Sequence, residues 1–284
     1  MRQHWILLSA LLLGCSSEQP AEAPDKPEVP TKTETAAKPV KNFKLDIGDL
    51  KKGAEEVALV PSPAEMQKTL KNTGLESKLG KMVSAESQVS MEGVENKDQI
   101  AVRTGVVLAE LVLTVQSSSK EVKVDRLTKL KEGFVKLGAG ADINDTIDDT
   151  ISSIKNEAVT NDDLLKEMDE LSGVLMPELE YEAGEWVVPL IQAGSWLQGS
   201  YLVSGAIIEE NKFDAASTLL RQPAVADYFL KYVQREGKEK APDEVVKQLE
   251  NTLIQLKEIA SKDSLTEDDV KAIRSSTGDV LKLL

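Results

Sequence analysis

Only a few side chains in this sequence have the type and spacing to do chemistry. The one histidine, His4, and the one cysteine, Cys15, both fall within the first fifteen residues. From Ser16 on, the chain carries no imidazole and no thiol. That excludes Ser-His-Asp and Cys-His nucleophilic sites, imidazole acid–base chemistry, zinc sites built on His or Cys, haem attachment and disulfides. Carboxylates remain. Asp142, Asn144, Asp145, Asp148 and Asp149 suggest a calcium loop, but there is no glycine at its sixth position and no glutamate at its twelfth. Ile143 and Ile147 have helical spacing, so Asp142 reads first as an N-cap, with acids in the first turns where the helix dipole favours them. Thr160-Asn-Asp-Asp163 and Thr266-Glu-Asp-Asp269 are likewise caps before they are ligands. No metal site and no cofactor is expected.

Two charged residues, Arg103 and Glu110, interrupt a strongly apolar helix. Seven residues apart, they share one face. A buried lone charge is costly, so each needs a partner or solvent. They read either as a structural polar network or as the polar groups of a pocket between helices. The segment Tyr181 to Tyr201 is the most unusual. It holds Trp186 and Trp196, two of the four tyrosines, and Glu182, Glu185, Gln192 and Gln198, in a chain that is only 4% aromatic. Such clustering marks either a core where two parts of the fold meet or a ligand pocket or docking surface. The candidate ligand-binding residues are therefore Arg103, Glu110, Gln192, Trp196 and Tyr201. Glu110 and Glu185 would serve a glycosidase only at a fixed separation, which nothing in the sequence sets. No catalytic residue is assigned, and the chain is expected not to be an enzyme.

The elements that must position these residues are helices. From Phe43 on, apolar residues recur at spacings of three and four. Phe43 to Val60 and Pro63 to Ser84 give two or three short helices, broken by Pro61 and Gly74, and Ala85 to Asn96 reads as a loop. Asn96-Lys97-Asp98-Gln99 resembles a capping box and opens a helix through about Ser117 that is apolar on every side, as at the centre of a bundle. Three more helices follow: Lys123 to Leu137 with Gly138 as its cap, one after Asp142, and one after Thr160. A second apolar helix runs from about Pro189 to Glu210. Beyond it come a region broken at Pro223 and ending at Gly237, a helix with Pro242 in its first turn, and a last helix opened by Thr266. The two sets match in order. Gly105, Leu108 and Leu113 align with Gly194, Leu197 and Leu202, and the two Thr-x-Asp-Asp caps align with each other. The expected fold is all-α: a helical bundle of two duplicated four-helix halves, about residues 100–175 and 189–281, with extra N-terminal helices. A period near 90 residues is too long for a solenoid repeat. The two apolar helices should pack on each other, with Gly105 and Ala109 facing Ser195 and Gly199.

The N-terminus is an address and a tether. Arg2 precedes a short apolar run, Trp5 to Leu13, too short to span a bilayer. Its end, Leu12-Leu13-Gly14-Cys15, resembles the lipobox of bacterial lipoproteins. The resemblance implies cleavage after residue 14 and lipidation of Cys15. Ser16, in place of an aspartate, resembles the sorting signal of outer-membrane lipoproteins; the inner membrane and the cell surface are the alternatives. Several acyl chains, at about 0.8 kcal/mol per buried methylene, anchor durably. Residues 15–42 then form a disordered linker holding five of the eleven prolines. At about 3.1 Å per residue it reaches at most roughly 80 Å. Residues 43–284 are the periplasmic body.

The formal charge of the chain is −14, and cleavage removes one cation and no acid, so nucleic acid is an unexpected partner. The helix TGVVLAELVLTV, paired with AGSWLQGSYLV, is faintly similar to uncharacterised all-helical lipoproteins of Gram-negative bacteria, a likeness that implies the fold and no activity. The expected function is a membrane-anchored, non-enzymatic binding or envelope-organising module. Its expected partners are the membrane, through the lipid, and an envelope protein or a small ligand. The alternative is a small-ligand binder with its pocket between the two halves. A carboxylate-based hydrolase is the remaining class.

Overall fold

Helix-forming periodicity and capping residues divide the body as follows. The computed structural model describes residues 60–84 and 88–284. Cys15, the proline-rich linker and all but the last residue of the expected helical stretch Phe43 to Val60 lie outside the described residues. Ten α-helices are present among those described: α1 (Pro63–Thr73), α2 (Lys97–Thr114), α3 (Lys120–Leu137), α4 (Ala141–Lys155), α5 (Asn161–Ala183), α6 (Val187–Glu209), α7 (Ala216–Leu220), α8 (Pro223–Lys240), α9 (Asp243–Ala260) and α10 (Glu267–Leu281). Short 3-10 turns at Glu76–Met82 and Phe213–Ala215 complete them, and no strand occurs among the described residues. The described residues fall in one compact unit.

Caps set most of the boundaries. Thr160 and Thr266 each accept a hydrogen bond from the backbone N–H of the aspartate three residues on, and that aspartate returns a bond to the cap's own N–H. Asn96 caps α2 by accepting from the Gln99 N–H at 3.1 Å. Gly138 ends α3 at φ +105°, a left-handed conformation that glycine adopts without cost. Three boundaries differ from the sequence expectation. Gly140, not Asp142, is the N-cap of α4, and Asp142 sits in the first turn, where the dipole still favours it. Helix α5 continues through Pro177 to Ala183. The proline removes one N–H from the ladder, and its ring opposes the carbonyl of Gly173, four residues before it. Helix α8 passes Gly237 and ends at Lys240.

The two apolar helices α2 and α6 make the largest helix–helix contact in the body. Their contact is very close. A Cβ placed on Gly105 would lie 1.9 Å from the Ile191 carbonyl oxygen, and one on Gly194 would lie 2.0 Å from that of Val102. The Ser195 hydroxyl donates to the Gly105 carbonyl at 2.9 Å across the same crossing. Gly199 is not at this point: it faces the methyl end of Met66 on α1, with Leu113 behind. The crossing therefore lies one turn nearer the N-terminus of α6 than the Ser195–Gly199 pairing places it. Around this centre the order of helices does not repeat. Helix α2 packs chiefly on its successor α3, whereas α6 packs chiefly on α10, the last helix. The crossing of α2 with α6 is as expected, whereas the helices about it do not follow the order that a duplication predicts.

Two cores result. One gathers Leu111, Leu127, Leu130, Phe134, Ile147 and Leu164 between α2 and α3–α5. The other gathers Trp196, Leu202, Phe229, Leu253, Val270 and Ile273 between α6 and α8–α10.

Candidate functional site

The five predicted site residues do not converge on one place. Glu110 is 6% exposed and belongs to a structural network. Its Oε2 accepts from Arg126 Nε at 2.6 Å, and its Oε1 from Gln198 Nε2 at 2.9 Å. Arg126, only 1% exposed, also donates to Asp125 Oδ2 at 2.5 Å and to the Ser84 carbonyl at 2.8 Å. The network ties α2, α3 and α6 to the segment before α2. It satisfies both charges in place, as a buried pair requires.

Arg103 turns the other way. Its Nη1 donates to the Ser90 carbonyl at 2.6 Å, and its Nη2 donates to the Leu284 carbonyl. Tyr201 is stacked under Arg274, whose guanidinium carbon is 3.4 Å from the ring centroid. Burial holds the Arg274 pKa below the usual arginine value, and the nearby Tyr201 opposes that shift. Gln192 has a side-chain oxygen that is buried and accepts no hydrogen bond. Of the aromatic segment, Tyr181 is 86% exposed, so Tyr181 to Tyr201 is not one cluster. Glu185 is exposed while Glu110 is buried and bonded to Arg126, so their environments differ entirely.

Trp196 is the predicted residue that meets a cavity. It is 5% exposed, stacks at a tilt on Phe229 with centroids 5.4 Å apart, and donates from Nε1 to Gln222 Oε1 at 2.8 Å. Beside it lies a cavity of about 350 Å³, within the range of small-ligand sites. Five stretches line it: the first turns of α2 (Asp98, Gln99, Val102), α6 (Leu190, Ala193, Trp196, Leu197), α8 (Phe229, Tyr232, Val233, Lys240), α9 (Val245, Val246, Leu249, Leu253) and the end of α10 with Leu283 and Leu284. The walls are aliphatic and aromatic. Most of the lining belongs to the second half, and α2 closes one side.

Charge gathers at one edge. Lys240 Nζ is 3.3 Å from Asp98 Oδ2 and stands 5.3 Å from the centroid of the Trp186 ring. The Tyr232 hydroxyl is closed from water and makes no well-formed hydrogen bond, although the Lys240 ammonium is near enough to act on it. Burial pushes the Tyr232 pKa up, against the pull of Lys240. Burial pulls Lys240 down, but Tyr232 and Asp98 outweigh it, and its pKa is raised. A buried polar group without a partner costs about 1–3 kcal/mol.

Sequence reasoning missed Asp98, Phe229, Tyr232 and Lys240 as a group. The signal in the sequence is the aromatic spacing of three between Phe229 and Tyr232, which fits a core face equally well. Among the described residues, no three His, Cys, Asp or Glu side chains converge as they would around a metal ion, and no helix is long and apolar enough to cross a membrane. In comparisons with known proteins, no family model, no curated protein and no solved structure matches this chain.

Proposed function

We propose that this is a lipoprotein anchored through Cys15, with a helical body that binds rather than catalyses. Its ligand is a small, largely apolar molecule taken up beside Trp196. The observation that carries this reading is the cavity of about 350 Å³ with aliphatic and aromatic walls. Apolar burial there contributes about 25 cal/mol per Å² of ligand surface removed from water. The lipobox resemblance supports a body tethered in the periplasm at the outer membrane. Envelope organisation is the second reading. It rests on α5, where Val174 and Tyr181 are exposed, seven residues apart and on one face.

Both parts have direct tests. Cys15→Ala should release the body as a soluble protein or leave an uncleaved precursor, and mass spectrometry finding an unmodified Cys15 on the mature chain would remove the anchor. A neutral naphthylamine fluorophore should bind the full-length protein at one site. Ala193→Phe, which fills the cavity, should abolish that binding; unchanged binding would place the site elsewhere.

A further inference from the structure

The cavity's polar edge carries its basic side chain, Lys240. Lys240 has three N–H groups and one carboxylate facing it, Asp98 at 3.3 Å. Its other close neighbours are the face of Trp186, which attracts the cation and takes no directed hydrogen bond, and the Tyr232 hydroxyl. Tyr232 adds a hydroxyl that makes no well-formed bond. Both residues line the apolar cavity, and so does Asp98. Of the polar groups along the walls, Trp196 Nε1 is engaged with Gln222, the Asn96 side chain with the N–H of Gln99, and the Leu284 backbone oxygen with Arg103; the Gln99 amide and the Thr252 hydroxyl also line the cavity. Lys240 is the basic side chain among the lining residues, so recognition by a cation is confined to one end of a largely apolar space.

We infer that the ligand is an aliphatic carboxylate, its chain in the cavity beside Trp196 and its head replacing Asp98 as the partner of Lys240, with Tyr232 as second donor. This rests on the binding reading above and names the ligand class. The choice of head follows from Lys240, the one basic side chain among the described residues that line the cavity. A carboxylate accepts from both Lys240 and Tyr232, and charge-assisted bonds of this kind are the stronger ones. A ligand amine would have to displace Lys240 to reach Asp98. Asp98 thus acts as an internal competitor that holds Lys240 at the edge when no ligand is bound. The pair is partly exposed on both sides, so exchanging one carboxylate for another there does not require burying a new charge.

Calorimetric titration of the full-length protein with decanoate, decanol and decylamine tests this, each used below the concentration at which it aggregates. Decanoate should bind about tenfold more tightly than decanol, and decylamine most weakly. Asp98→Asn should tighten decanoate severalfold and leave decanol unchanged. Lys240→Met should bring decanoate down to the level of decanol, and Tyr232→Phe should weaken decanoate alone. Unchanged melting temperatures in Asp98→Asn and Lys240→Met would show that the folds are intact. Equal binding of decanoate and decanol, or an Asp98→Asn variant that leaves decanoate unaffected, would overturn the carboxylate assignment and leave the apolar site standing. Binding of none of the three would overturn the site itself.

Discussion

Gly105 and Gly194 hold the two central helices together by the same reciprocal contact, each lying against a carbonyl three residues before the other glycine. Gly105 faces Ile191, and Gly194 faces Val102. A glycine in a helix interior costs up to about 1 kcal/mol relative to alanine. The close approach of two apolar helices offsets that cost, since their facing surfaces pack without a gap.

The glycines of the body should therefore rank by what a methyl group would meet. Gly105→Ala and Gly194→Ala place a Cβ within 2.0 Å of a backbone oxygen that cannot move alone, and each should destabilise by about 2–3 kcal/mol or more. Gly199→Ala meets the mobile end of Met66 and should cost under about 1 kcal/mol. Gly173→Ala, in open surroundings on α5, should stabilise by about 0.5–1 kcal/mol. Urea unfolding of the four variants measures the series, and a Gly105→Ala protein as stable as the parent would refute the close crossing.

Breaking the Glu110–Arg126 pair from one side should be costly. Glu110→Ala leaves Arg126 buried with less compensation and should destabilise by about 3 kcal/mol. The double variant Glu110→Leu/Arg126→Met should recover much of that loss, since apolar replacement of a whole buried pair is often neutral. A double-mutant cycle by chemical denaturation gives the coupling. Additive single effects would show that the two side chains act independently.

Acid should weaken the second half through two aspartates. Bonds from Lys257 and then Lys231 hold the Asp227 carboxyl below its ordinary range. Burial alone would raise Asp269, but Lys262 and the Thr266 cap outweigh it, and its pKa is lowered too. A carboxyl with a lower pKa folded than unfolded contributes stability that is full above the unfolded value. That stability is lost as pH falls through the folded one. Stability should hold down to about pH 5 and decline below about pH 4. Asp227→Asn and Asp269→Asn should each lower stability near neutrality and flatten the acid limb, as read from urea midpoints across this window. An acid limb as steep in both variants as in the parent would locate the titrating groups elsewhere.

Much of the fold was legible because helix signals act over three or four residues. Asn96, Thr160 and Thr266 cap the helices they precede, and Gly138 ends α3, each through bonds to its immediate neighbours. The all-round apolar character of α2 and α6 likewise showed that both lie at the centre, since burial on every side needs neighbours on every side. The requirement that Glu110 have either a partner or solvent also followed from sequence alone, because an unpaired buried carboxylate is too costly. The identity of that partner did not follow. Arg126 lies on the next helix, where its position along an amphipathic stripe looks no different from that of its exposed neighbours. The cavity was further out of reach: Asp98 and Lys240 meet only because α2 and α8 are brought to the same side of α6. Capping and periodicity are properties of adjacent residues, and the sequence determines them directly. Which charges are desolvated together, and where side chains fail to fill space, depends on distances between segments far apart in the chain, and only the packing of the helices decided that.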